Sequence, residues 1–146
     1  MDTGASVPVY ATAQADHKYI SVCAQNFQKL LAHDRLADAD QQFADIQQLI
    51  EVDVKEHFTH EETRVFPVLL KRNLGEAVTR LILELQQEHI PLLARAKQLN
   101  DLLHHRKLAY CSTELWMIIA NFLTDFQKHA NKEEFLFALF PADPAS

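Results

Sequence analysis

The chain has 146 residues, only two of them glycine and five proline, with 48% hydrophobic and 23% charged side chains. One domain of this length can bury a core, and scarce glycine with plentiful Leu, Ala, Gln, Glu and Lys predicts an all-α chain. A formal charge of −6 with no basic cluster excludes a nucleic-acid partner, and no apolar run approaches the roughly 20 residues of a membrane span.

Residues 1–11 contain Gly4 and Pro8 and are expected to form an irregular arm, ahead of a helical bundle over 12–141 and a short tail at 142–146. The N-terminus has neither a basic n-region nor an apolar h-region, so no signal peptide is expected. Cys23 and Cys111 form no C-x-x-C pair, which suits a reduced, cytoplasmic protein. The first helix should run from about Ala11 to His33, with an inward stripe of Ala13, His17, Ile20, Ala24, Phe27 and Leu31. A polar connection over 34–40 leads to a second helix with Phe43, Ile46, Ile50, Val54, His57 and Glu61 on one face, ending near Pro67 or shortly after it.

Asn73 and Gly75 mark the next turn. The third helix carries a clean apolar repeat of Val78, Ile82, Leu85, Leu92, Ala96, Leu99 and Leu103, with His89 in the middle of it. After a connection over 106–112, which Ser112 or Thr113 can cap, the fourth helix shows Leu115, Ile119, Phe122, Phe126, His129, Glu133 and Phe137, then stops at Pro141. Short connections between four such helices give an up-down-up-down four-helix bundle.

In each helix a histidine occupies a position that the apolar pattern reserves for core. His57 and Glu61, like His129 and Glu133, are four residues apart and share a helix face. Each pair has a histidine 40 residues upstream, His17 and His89, so the whole pattern repeats at an offset of 72. In antiparallel hairpins, residues equally far from the turn lie at one height. The midpoints of successive histidines are Ala37, Asn73 and Ala109, all in expected turns, so the four histidines should meet in one layer with both glutamates beside them.

A bundle interior does not accept such a set without partners, since each unsatisfied buried polar group costs about 1–3 kcal/mol. Two divalent cations would satisfy all six groups. Of about twelve positions around two six-coordinate ions, four histidines fill four, two bridging carboxylates four, and a shared oxo or hydroxo group two. About two positions stay open, the mark of a site that binds something. Imidazole with carboxylate suits Fe, Mn or Zn, and the lack of cysteine ligands argues against a structural zinc.

His17, His57-x-x-x-Glu61, His89 and His129-x-x-x-Glu133, with the HFTHEETRVFP wording at 57–67, resemble the haemerythrin-like (HHE cation-binding) domain family over essentially the whole bundle. The resemblance implies a non-haem di-iron centre, two iron ions with a bridging oxo or hydroxo group, held by these six residues with both glutamates bridging. Oxygen-carrying haemerythrins have a second histidine four residues after the third-helix ligand, where this chain has Leu93, and a His-x-x-x-x-Asp pair in the last helix. The four-His/two-Glu set is instead similar to that of bacterial di-iron proteins linked to iron–sulfur cluster repair.

The expected function is therefore binding or reduction of O2, peroxide or NO at an open site, in oxidative or nitrosative stress defence or iron-centre repair. A reversible oxygen carrier or sensor, and a non-catalytic iron-sensing interaction module, are the alternatives. Glu62, Glu88 and Glu134 adjoin ligand positions but point about 100° away, which suits supporting roles, with Glu88 able to reach an open metal position. His60, three residues from His57, is a competing ligand. Pro91 should kink the third helix within a turn of His89 and so open a path for a small ligand.

Overall fold

The computed structural model describes residues 7–32, 40–104 and 113–140. Residues 34–39 of the first expected connection, the connection at 106–112, the Ser112 cap, the stop at Pro141, most of the arm and the tail lie outside them, as do the side chains of Leu31 and Phe43, while Asp40 opens a helix. Helix α1 spans Ala11–Ala32. A second rod follows as α2 (Asp40–Gln48), a π turn (Leu49–Asp53), α3 (Val54–His60), a second π turn (Glu61–Val65) and α4 (Phe66–Lys71). Helices α5 (Glu76–His104) and α6 (Thr113–Ala138) complete an all-α four-helix bundle.

Each rod packs on two neighbours, α1 on the second rod and α6, and α5 on the same two. Tyr10 reaches Phe140 and Gln14 reaches Glu134, so numbering rises along α1 as it falls along α6, and the two run antiparallel. Between α4 and α5 the chain reverses over residues 72–75, where Asn73 (φ 48°) and Gly75 (φ 113°) take the left-handed region. Asn and Gly accept that conformation most readily, which is why the turn falls on the expected midpoint.

The π turns answer a periodicity that the sequence carries. Buried Ile46, Ile50 and Val54 are spaced by four, as are His57, Glu61, Val65 and Leu69. Four residues of α-helix overshoot a full turn by about 40°, so repeated steps of four drift off the core face. Wider turns, closed by Val54 N–H to Leu49 O and Phe66 N–H to Glu61 O, absorb the drift. The second also resolves Pro67. The rod continues past it to Lys71, with Pro67 in the first turn of α4, the helix position that tolerates a missing N–H best.

The core comes in two parts. One, around Phe27, Ile46, Leu99, Trp116 and Phe122, fills one end of the bundle. The other, around Tyr10, Phe66, Leu85 and Phe137, fills the opposite end. On every rod the histidine falls in sequence between residues of the two parts, so a polar layer separates two apolar ones. Phe27 is fully buried with its ring 5.1 Å from that of Trp116. Phe27→Ala should therefore cost about 3–5 kcal/mol in a chemical unfolding curve; a loss below about 1 kcal/mol would contradict this account of the packing.

Candidate metal centre

His17 comes from α1, His57 from α3, Glu61 from the first residue of the second π turn, His89 from α5, and His129 and Glu133 from α6. All six are buried, and both glutamates are 0% exposed. They form two overlapping groups, His17, His57, Glu61 and Glu133, and Glu61, His89, His129 and Glu133, each with its ligand atoms within 4.8 Å of one another. The layer inferred from spacing is thus present, and the two glutamates belong to both halves.

What orients the imidazoles is a closed circuit of carboxylates around the bundle. Asp16 of α1 faces Nδ1 of His57 at 3.0 Å, and Glu62 of the second rod faces Nδ1 of His89 at 2.6 Å. Glu88 of α5 faces Nδ1 of His129 at 2.8 Å, and Glu134 of α6 faces Nδ1 of His17 at 2.6 Å. Each rod thereby fixes the histidine of the next. A carboxylate only accepts, so every Nδ1 carries a proton and donates, which leaves Nε2 as the inward nitrogen able to offer a lone pair once it holds no proton. Two members of the circuit are themselves held: Lys132 donates to Glu88 at 2.6 Å and Gln14 to Glu134 at 3.1 Å.

The inner nitrogens converge on the glutamates. Nε2 of His17 lies 2.9 Å from Glu133 and 3.1 Å from Nε2 of His57. Nε2 of His89 stands 3.2 Å from Glu61, and that of His129 stands 3.2 Å from Glu133. Yet both oxygens of Glu61 and Nε2 of His129 have no hydrogen-bond partner among the described residues. Close approach without hydrogen-bond geometry, from lone pairs and carboxylate oxygens aimed at common points, is the donor set a divalent cation requires. The residues therefore fit a metal.

Without a cation the carboxylates pull protons onto the rings. Burial opposes a charged His57, but bonds to Asp16 and Glu133 and the charge of Glu61 outweigh it and raise its pKa to about 9. His89 is raised to about 10 against burial, through Glu133, Glu61 and Glu62. Burial and the adjacent Glu133 charge push Glu61 up, while four histidines hold Glu133 well below the usual carboxylate range despite its own burial.

Of the four residues expected to support or extend the ligand set, Glu62, Glu88 and Glu134 take supporting places in the circuit, and Glu88 turns to His129 and Lys132 rather than to a metal position. His60 belongs to neither group; its Nε2 is buried with no hydrogen-bond partner among the described residues, and its ring borders a cleft on the outer side of His57. The circuit's fourth carboxylate, Asp16, was not singled out in the sequence. Its signal was there: Asp16 precedes His17 as Glu88 precedes His89, at the same offset of 72. Pro91 lies within continuous α5 and is exposed, bordering neither of the clefts that reach His17 and His57.

A family model described as the Hemerythrin HHE cation binding domain matches residues 9–141. The chain belongs to that family. No curated protein and no solved structure matches it.

Two outcomes follow from the circuit. Asp16→Asn, which keeps shape but removes the charge behind His57, should weaken metal binding by about 10–100-fold in a competition titration; unchanged affinity would deny the circuit its orienting role. In metal-free protein, the raised pKa values of His57 and His89 give stability that is fully present below about pH 6.5 and lost as pH rises through about 9 to 10. The melting temperature of the metal-free chain should therefore fall between pH 7 and pH 10, and an increase would contradict the assigned charges.

Proposed function

We propose that the chain is a non-haem di-iron protein that binds or reduces O2, peroxide or NO, with His17, His57, Glu61, His89, His129 and Glu133 as ligands. The single observation carrying this reading is the pair of four-residue donor groups that share Glu61 and Glu133. Each group offers two imidazoles and two carboxylates, which leaves about two of six positions per ion, one for a shared oxo or hydroxo group and one open. A purely structural site would close its coordination sphere. A pair of iron ions held there would supply one- and two-electron exchange with small oxidants.

The chain's own residues prepare the space. Phe58 stacks on His89 with ring centroids 3.9 Å apart and meets His129 edge-on at 5.5 Å, so it shields the second half from water. Phe66 lies 5.8 Å from His89, and Phe137 stacks on His17 at 6.2 Å. An apolar wall of this kind keeps water out and strengthens the field of the two carboxylates. Leu93, in place of a fifth imidazole, packs against the adjacent core and supports turnover over storage of an intact oxygen ligand. The likeness in ligand set to iron–sulfur repair proteins supports placing this chemistry in oxidative or nitrosative stress defence inside the cytoplasm.

Iron-reconstituted protein should carry two iron atoms per chain and show near-ultraviolet charge-transfer absorption that changes on adding peroxide or NO. Glu61→Ala with Glu133→Ala should reduce the metal content below one atom per chain. Full iron loading in that double variant would remove the proposal.

A further inference from the structure

The two halves of the centre are not equally enclosed. His89 is walled by Phe58 and Phe66, and His129 by Phe58. His17 meets Phe137 and His57 meets Phe58 and Phe126, but each of these two histidines also borders a cleft. One, of about 470 Å³, lies between α1 and the second rod and ends on His57. The other, of about 440 Å³, lies between α1 and α6 and ends on His17. The floors of these clefts differ. Behind His17 stands Glu134 at 2.6 Å, likewise 38% exposed and lining its cleft, but held by Gln14 and with Lys18 in the same lining. Behind His57 stands Asp16 at 3.0 Å, 38% exposed and lining the cleft. The far nitrogen of that same ring lies 3.3 Å from Glu61.

We infer that cations and small molecules reach the His17–His57 half through the cleft between α1 and the second rod, and that its lining admits cations and uncharged molecules over anions. The route rests on the reading of the cluster as a metal centre. Asp16, Asp53 and Glu56 supply the charge, and no lysine or arginine is among the described lining residues. Walls of one sign focus the field in a concave space and change the entry rate of charged solutes, by about 10-fold or more at low salt. A neutral diatomic feels none of this, whereas an anion is slowed and a divalent cation drawn in. His60, whose buried Nε2 has no partner among the described residues, adds a polar way-station in the same cleft beside His57 without joining the ligand groups.

The test uses three probes of different charge and three variants, each first shown to melt as the parent does. Co2+ uptake by the metal-free chain, NO binding to iron-loaded protein, and azide binding to iron-loaded protein are followed by stopped flow. Thr12→Trp with Gln48→Trp, both exposed residues at the cleft, should slow all three about tenfold. Val22→Trp, which fills the α1–α6 cleft at a residue 56% exposed, should slow none. Asp53→Asn with Glu56→Gln should slow Co2+, speed azide and leave NO unchanged, with the differences fading at high salt.

Rates unchanged by the double tryptophan variant, or slowed equally by Val22→Trp, would overturn the route. Azide and Co2+ responding alike to charge removal would overturn the selectivity. A parent chain that takes up no Co2+ or iron would instead overturn the metal centre itself, and this inference with it.

Discussion

Two carboxylates that share one buried layer are the constraint on which the rest of the structure depends. Glu61 and Glu133 have no solvent contact, and each is within reach of the same imidazoles. Like charges in a dry space cannot both stay ionised without countercharge. The metal-free protein answers by dividing the roles: Glu133 stays charged against protonated rings, and Glu61 is pushed toward its neutral form. Cations at the centres of the two groups would supply that countercharge without displacing protons onto histidine, and would let both glutamates serve both halves.

The layer needs orientation as well as charge, and the bundle supplies it with second-row carboxylates. Because Asp16, Glu62, Glu88 and Glu134 each come from the rod next to the histidine they hold, the circuit also ties the four rods to one another at a single height. Fixing the proton at Nδ1 removes the other tautomer, so an arriving ion has only the inner Nε2 proton to displace and meets a lone pair already aimed at it. That is preorganisation in the sense used for designed sites, a donor set held by its supports rather than gathered by the metal. The apolar clusters on either side make the arrangement rigid and dry.

Much of this was legible in the chain because helix geometry converts spacing into position. Offsets of 40 and 72 place His17, His57, His89 and His129 in one layer only if the rods are antiparallel and the turns lie at the midpoints, and the turn at Asn73 does so. Asp16 was not legible by the same rule, since one residue from a ligand points off the core face and reads as surface. Its role depends on a neighbouring rod, which no single-helix pattern contains. The π turns were masked for a related reason: steps of four look helical at any one turn, and their drift shows only when summed along the rod. The end of the second rod near or shortly after Pro67 was legible, but not the widened turn that carries the helix through it.

Symmetry of sequence does not become symmetry of environment. The two His-x-x-x-Glu halves repeat and aromatic rings pack on both, but only beside His17 and His57 does α1 leave described clefts. Any difference in how the halves meet solution arises from these walls and not from the ligands. The most direct test of the central claim is anomalous diffraction at the iron edge from crystals of the reconstituted protein. Two peaks, one between His17 and His57 and one between His89 and His129, each bordered by both glutamates, are predicted. A single peak, or density at the layer with no anomalous signal, would contradict the account.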